Sequence, residues 1–217
     1  MRCPGAVALP GGFLLGSALE SSLQLLFHPP HATGAVIGVG GYGRGEMAPY
    51  SDVDPLFLIP QTPSQRTENL IESMLYMLWD LKLKVGHSTR TIRDCVTLGR
   101  EDFTIQTALL EHRFIAADVA LAQDLDETLK TDLFAGTGRS FIEAKLEERD
   151  ARHRKQGLRY VVEPNVKEAK GGLRDLQSLF WIAKHIYSVE HAADLVDRGV
   201  FLEEEFKTFV AAENFLW

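Results

Sequence analysis

The hydrophobic pattern of the first half of the chain mixes helical and strand-like periods. Residues 13–27 and 67–82 carry apolar side chains at helical spacing. Residues 35–39 and 53–59 are short apolar runs typical of buried strands, and residues 84–92 alternate like a third strand. About a dozen residues without a helical period join the first two strands, so we expect a loop between neighbouring strands. This order predicts a small α/β domain.

The second half of the chain predicts helices almost throughout. Residues 103–116 have helical spacing, and Ser140 with Glu143 resembles a capping box that opens a charged helix ending at Gly157. An apolar stripe predicts a helix over residues 173–187, and another helix begins near Leu202. We therefore divide the chain into three parts, which are a helical lead-in (1–34), an α/β domain (35–116) and a helical domain (117–217).

Composition excludes several classes of protein. The 217 residues, 45% of them hydrophobic, suffice for a substantial core, and no apolar run reaches the roughly 18 residues that a membrane helix needs. A net charge of −7 disfavours duplex nucleic acid as a partner. Two cysteines, Cys3 and Cys95, cannot form a disulfide framework or a zinc knuckle. Since no secretory signal is evident either, we expect a cytoplasmic protein.

A glycine-rich segment follows the first predicted strand. Gly38, Gly40 and Gly43 have the spacing of a dinucleotide-binding loop, but the crossover helix that this loop requires is missing from the pattern. No Gly-Lys-Ser/Thr follows, which excludes a Walker loop.

Asp52 and Asp54 offer a better explanation of this segment. Residues two apart in a strand face the same side, so the two carboxylates lie together and suit Mg²⁺, which proteins hold with one or two carboxylates plus substrate phosphates. The preceding glycines allow backbone N–H groups to approach phosphate oxygens. Alternatively, the aspartates cap a turn and the glycines only bend the chain. The occurrence of both features together favours a metal and phosphate site.

These residues resemble a known signature. Gly40-Gly41 followed by Asp52-x-Asp54 is similar to the motif of polymerase-β-type nucleotidyltransferases, and the string GGYGRGEMAPYSDVD resembles the PII uridylyltransferase family in particular. Three later stretches are similar to the same family in the same order. They are VGHSTRT (85–91), TALLEHR (107–113) and the pair EPNVKE and GGLRDL (163–176).

The resemblance implies a polymerase-β-like domain with a small mixed sheet, followed by a helical domain. It implies Mg²⁺-dependent transfer of UMP from UTP to a tyrosine of the regulatory protein PII, with pyrophosphate leaving. Asp52 and Asp54 would be the catalytic metal ligands. The expected nucleotide contacts are Gly40, Gly41, Arg44 and Ser51, although Arg44 fits a plain surface ion pair about equally well. Family members commonly use a third carboxylate, for which Glu111 and Asp80 are weak candidates.

The resemblance also leaves alternatives. Full-length members carry a hydrolase domain and glutamine-sensing domains, so we expect this chain to be an N-terminal fragment. A related enzyme adenylylates glutamine synthetase, and the sequence does not decide between UTP and ATP. A catalytically silent nucleotide-binding fragment is a further alternative. Pro55 replaces the usual aliphatic residue after Asp54, which predicts an edge or a local distortion in that strand.

Overall fold

A computed structural model describes residues 34–46, 51–155 and 165–217 of the chain. The described residues form two compact units, one ending at Leu133 and the other beginning at Phe134, and each is treated by itself. The helix predicted over residues 13–27 lies outside the described residues.

The first unit is built on a small mixed sheet, as predicted. Its four strands have the order β3-β2-β1-β4, with β1 antiparallel to both β2 and β4, and with β2 parallel to β3. The strands are β1 (Ala35–Gly38), β2 (Pro55–Leu58), β3 (Ser88–Arg90) and β4 (Arg113–Ala117).

Helices flank this sheet. The longest begins where the Ser64 side chain accepts a hydrogen bond from the Thr67 N–H, and its apolar face completes the core with Val36, Phe57 and Ile115. A π-helical turn, Leu129–Phe134, follows the last helix. The helices of this unit are α1 (Gly40–Arg44), α2 (Gln65–Asp80), α3 (Ile92–Glu101), α4 (Phe103–Leu110) and α5 (Val119–Thr128).

Three sequence predictions differ from this arrangement. The loop expected between β1 and β2 contains the five-residue helix α1. The helix expected over residues 103–116 ends at Leu110, because residues 113–117 form β4, in which Ile115 and Ala116 are buried. A short apolar run fits either period, and here pairing with β1 decides the outcome. The strand expected over residues 84–92 is reduced to β3 and one bridge.

The first unit extends beyond the boundary expected at residue 116. Helix α5 packs on β1 and β4, and Asp118 caps it by accepting a hydrogen bond from the Leu121 N–H. The interpretation of the two units as catalytic and helical domains stays a prediction.

The second unit is helical in its described part. The helix predicted over residues 173–187 is confirmed at both ends, whereas the predicted capping box is absent because Ser140 donates to the Thr137 carbonyl. A small core forms around Leu195, with Ala183 and Val189. The helices are α6 (Gly138–Lys155), α7 (Leu173–Tyr187), α8 (Asp194–Asp197) and α9 (Glu203–Leu216). Among the described residues, no helix is long and apolar enough to cross a membrane.

Candidate active site

The glycine segment and the aspartates meet at one end of the sheet. The antiparallel register pairs Gly38 with Pro55, so the end of β1 lies beside the start of β2. The Val39 N–H donates to the Asp54 carbonyl at 3.1 Å. Gly40 has a φ of +58°, which favours glycine, and a Cβ there would lie 3.7 Å from Asp54 Oδ2. The structure therefore brings together the two features that the sequence singled out.

Asp52 and Asp54 face away from the core. Val53 between them is 2% exposed and packs in the hydrophobic core, while Asp52 is exposed and Asp54 is half-buried. Burial, followed by repulsion from Asp52, raises the pKa of Asp54 above its ordinary value. A cation bound between the carboxylates would relieve both effects.

The donor set fits Mg²⁺ held partly by substrate. Among the described residues, no group of three or more His, Cys, Asp or Glu side chains is placed to hold a metal. Asp52 and Asp54 would supply two carboxylates to such an ion, and phosphate oxygens or water would supply the remaining oxygen ligands. Glu111 is not brought into this pair. Asp80, the other candidate, is an exposed residue at the end of α2.

Pro55 interrupts the pairing of β2 with its parallel neighbour. Val53 forms an isolated bridge with Val85, and the ladder resumes only at Leu56 and Ser88. Because proline has no N–H, it cannot donate the hydrogen bond that a continuous ladder would place between these points. The local distortion predicted from Pro55 is present, immediately beside Asp54.

Gly86 is a site residue that the sequence analysis missed. Its backbone N–H donates to the Val53 carbonyl at 2.9 Å, and a Cβ at this position would collide with Asp54 Oδ1. The φ of Gly86 lies outside the left-handed region, so the backbone conformation does not require glycine. The nearby Asp54 carboxylate is what leaves no room for a side chain. An isolated glycine in a strand pattern, which often marks a close approach, was the available signal.

Arg44 forms a largely buried ion pair, whereas one of its two predicted roles was an ion pair on the surface. Its guanidinium contacts Glu46 at 2.6 Å and Glu111 at 2.8 Å. The side chain of Arg44 is 16% exposed, that of Glu46 is 28% exposed and that of Glu111 is 1% exposed. Burial opposes the charged guanidinium, but the two carboxylates outweigh this and raise the pKa of Arg44 above its ordinary value. Glu111 thereby connects α1 to the end of α4.

Arg113 and Gly43 strengthen the same connection and were also missed. Arg113 donates from Nε to the Gly43 carbonyl at 2.9 Å and from a terminal nitrogen to the Tyr42 carbonyl at 3.1 Å. A Cβ at Gly43 would collide with the Glu111 carbonyl, so α1 packs directly on backbone there. Both residues lie within motifs noted above, but their roles depend on a strand register that the sequence does not reveal.

Ser51 lies next to Asp52 and is partly exposed. Residues 47–50, which precede it, lie outside the described residues. Its contact with phosphate stays a prediction.

The Gly171-Gly172 motif of the second unit serves packing. A Cβ at Gly172 would lie 2.5 Å from the Val166 carbonyl oxygen. The Leu173 and Arg174 N–H groups at the start of α7 donate to the carbonyls of Val166 and Lys167 at 3.0 and 2.9 Å. These amides are occupied by the preceding loop, so the two glycines allow close backbone packing at the start of α7.

Asp175 ties the same motif to α6. Its carboxylate accepts hydrogen bonds from Arg152 at 2.5 Å, from His153 Nε2 at 2.9 Å and from the Gly171 N–H at 2.8 Å. Burial opposes ionisation, but these donors together lower the pKa of Asp175. The motif residues therefore build the joint between α6 and α7.

Comparisons with known proteins agree on one family. Residues 140–217 match the model of the GlnD PII-uridylyltransferase family. The chain is 67% identical over 183 residues to the bifunctional uridylyltransferase/uridylyl-removing enzyme of Ruegeria pomeroyi, covering 84% of this chain and 20% of that protein. The enzyme of the same name from Cereibacter sphaeroides is 64% identical over 184 residues, with the same coverage. The enzyme from Rhodopseudomonas palustris is 45% identical over 221 residues, covering 100% of this chain and 24% of that protein.

A solved toxin–antitoxin structure with AMP-PNP aligns with 61% of this chain and 93% of its own, at a TM-score of 0.32 and 19% identity. The chain spans about a fifth of the length of the first two relatives. Over the segment that it spans, the chain belongs to the family of bifunctional uridylyltransferase/uridylyl-removing enzymes.

Proposed function

We propose that this chain transfers UMP from UTP to a tyrosine hydroxyl of protein PII and releases pyrophosphate. The observation that carries the proposal is the position of Asp54 against the glycine segment, with Asp52 two residues before it, in a chain whose relatives are named uridylyltransferases. In the reaction, a bond forms between the tyrosine oxygen and the α-phosphorus of UTP, the bond to the bridging oxygen of the β-phosphate breaks, and the tyrosine proton passes to solvent. The first unit would then have a polymerase-β-like nucleotidyltransferase fold.

Asp52 and Asp54 would hold Mg²⁺, and Mg²⁺ when bound would reduce the negative charge on the triphosphate and orient it for in-line displacement. The two carboxylates would hold the ion in one place, because Val53 anchors their segment in the core. Asp54 is the more desolvated of the two, which strengthens its interaction with a cation.

Gly40 and Gly41 would leave room for the phosphates. Their N–H groups lie in the first turn of α1, where helix geometry provides no intrahelical acceptor. The absence of side chains lets phosphate oxygens approach this backbone beside the carboxylates. Ser51 and Arg44 are further proposed contacts. Glu111, the weak candidate for a third carboxylate, is held by Arg44 through Oε2.

The test uses the full chain with purified PII, Mg²⁺ and α-labelled UTP or ATP in parallel reactions. We expect label from UTP on PII, and its loss in the double variant Asp52→Asn/Asp54→Asn. Asp124→Asn, which changes an exposed aspartate of α5, is the matched control and retains activity.

Label from ATP alone would instead indicate an adenylyltransferase. Mg²⁺-dependent nucleotide binding without labelling would indicate a silent binding fragment, and a folded chain that neither binds nor labels would overturn the proposal. Because PII regulation is an intracellular process and the two cysteines fit a reducing compartment, we place the activity in the cytoplasm.

A further inference from the structure

We propose that Gly86 is a positioning residue for Asp54: the missing side chain at this position creates the space that holds the Asp54 carboxylate toward the glycine segment. The inference rests on the proposed function for its catalytic consequence, but its structural part concerns only this chain. It names a residue outside the aspartate pair and outside the segment that follows β1.

The first observation is a contact made from two sides. A Cβ at Gly86 would collide with Asp54 Oδ1, and a Cβ at Gly40 would lie 3.7 Å from Asp54 Oδ2. The two glycines come from segments far apart in the sequence, since Gly40 follows β1 and Gly86 precedes β3. The carboxylate of Asp54 therefore lies in a slot bounded by two positions that lack side chains.

The second observation is that Gly86 has no other reason to be glycine. Its φ is outside the left-handed region, the residue is exposed, and Asp54 supplies all the heavy atoms that crowd its Cβ direction. Its N–H bond to the Val53 carbonyl would survive substitution by any residue except proline. Alanine is therefore compatible with the fold here and incompatible with the present position of the carboxylate.

The slot lies where Pro55 interrupts the parallel pairing of the β2 segment with the β3 segment. Regular pairing stops after Val53 and Val85 and resumes at Leu56 and Ser88, so Asp54 and Gly86 lie in this interval, where the Gly86 N–H still donates to the Val53 carbonyl. That hydrogen bond holds the Gly86 backbone beside Val53, so a Cβ at Gly86 would meet the Asp54 carboxylate and no other strand. A methyl group at Gly86 would push the carboxylate away rather than disturb a hydrogen-bonded ladder.

Substitution of Gly86 should therefore displace the Asp54 carboxylate with little change in the stability of the fold. Displacing a reacting or ligating group by about 1 Å can cost about 100-fold in rate, and loss of a residue that orients a metal ligand typically costs about 10–100-fold in metal affinity. We expect Gly86→Ala to fall in this range, and Gly86→Val to show a larger loss.

The experiment compares Gly86→Ala with Gly138→Ala in the full chain. Gly138 also has an ordinary φ, and a Cβ there meets only Ile186 Cγ1 at 4.0 Å, which makes it a matched glycine substitution. Three properties are measured, which are the thermal midpoint, the affinity for Mn²⁺ alone by water-proton relaxation, and the position of the Asp54 carboxylate in crystal structures. Steady-state labelling of PII is added where the parent chain is active.

For Gly86→Ala we expect an unchanged thermal midpoint, Mn²⁺ affinity at least tenfold weaker, a rotated Asp54 side chain, and a loss in kcat that exceeds any change in KM for PII. Gly138→Ala should match the parent chain. Parental Mn²⁺ affinity with an unmoved carboxylate in Gly86→Ala would overturn the inference, as would an equal loss in Gly138→Ala. If Gly86→Ala fails to fold, the claim that alanine fits this backbone is wrong. Absence of labelling by the parent chain would count against the proposed function only, because Mn²⁺ binding and the crystal structures need neither UTP nor PII.

Discussion

Individual glycines in this chain have three different physical roles. Gly40 has a backbone conformation that favours glycine, Gly86 makes room for a carboxylate, and Gly43 allows backbone to approach backbone. The first and third roles bear on stability, because a side chain strains the left-handed backbone at Gly40, and because a carbonyl fixed at the end of α4 cannot rotate away as a side chain can. The glycines of one motif should therefore respond differently to the same substitution.

We predict that Gly43→Ala lowers the free energy of unfolding by about 1–3 kcal/mol, since its Cβ would collide with the Glu111 carbonyl. Gly41→Ala is the matched comparison. Its Cβ would meet the Glu46 carbonyl oxygen at 3.4 Å, an ordinary contact, so we expect stability to stay the same or rise by up to about 1 kcal/mol. Urea denaturation of both variants checks this. Equal effects of the two substitutions would contradict the assignment of Gly43 to close packing.

Some residues of the site can be identified from a short stretch of sequence, whereas others depend on contacts between distant segments. Asp52, Asp54 and Gly40 could be predicted because they lie within one short motif and their chemistry is visible in their spacing. Gly86 and Arg113 could not, since their roles arise from strand pairings between distant segments. Glu111 shows the intermediate case, where the sequence marked the residue as a weak metal ligand and the structure shows an ion pair with Arg44.

At the scale of elements, predictions succeeded where burial matches the local period. Helix α7 has the predicted bounds because its apolar stripe is long and regular. Residues 103–116 were interpreted wrongly as one helix because the pattern continues across the turn at Glu111 into β4. The position of β4 beside β1 is a tertiary fact, and no local spacing encodes it.

Helix α7 also contains a buried histidine with a predictable pH response. His185 is 6% exposed, stacks on Phe141 with ring centroids 4.3 Å apart, and pairs through Nε2 with the Thr137 hydroxyl at 3.2 Å. Burial lowers the pKa of His185 below its ordinary value. The unfolded chain therefore binds the proton more readily, and the stability from neutral His185 is present above about pH 6.5 and lost as the pH falls through that value toward the folded pKa.

We predict that the thermal midpoint of the second unit decreases as the pH is lowered from about 7.5 to about 5.5. The variant His185→Gln should lose part of this pH dependence. His191→Gln, which changes an exposed histidine of the same unit, should leave it intact. Melting curves at several pH values provide the measurement. The same pH dependence in His185→Gln as in the parent chain would show that other groups cause it.

At the scale of the whole molecule, the described chain has two units with separate cores, and the proposed nucleotide site lies wholly in the first. Ligand binding stabilises the structure that holds the site, by about 2.7 kcal/mol when the ligand is at 100 times its Kd. Nucleotide should therefore act on one unit and not the other.

We predict that UTP with Mg²⁺ raises the unfolding midpoint of the first unit, whereas UTP with EDTA does not, and that Asp54→Asn abolishes the effect. Hydrogen exchange resolved along the sequence distinguishes the units. Protection by Mg²⁺ and UTP should appear around β1, α1 and β2 and be absent from α9. Protection of α9 instead would place the nucleotide in the second unit.

The register of β1 also has a consequence for synthesis on the ribosome. This strand lies between β2 and β4, and Arg113 at the start of β4 reaches back across 70 residues to Gly43. At about 5–20 residues per second, translation needs about 4–14 s to supply the missing strand. During that interval the nascent chain exposes one unpaired edge of β1, which is a template for pairing with other chains. Slow codons between residues 43 and 113 would therefore lower the yield of soluble protein.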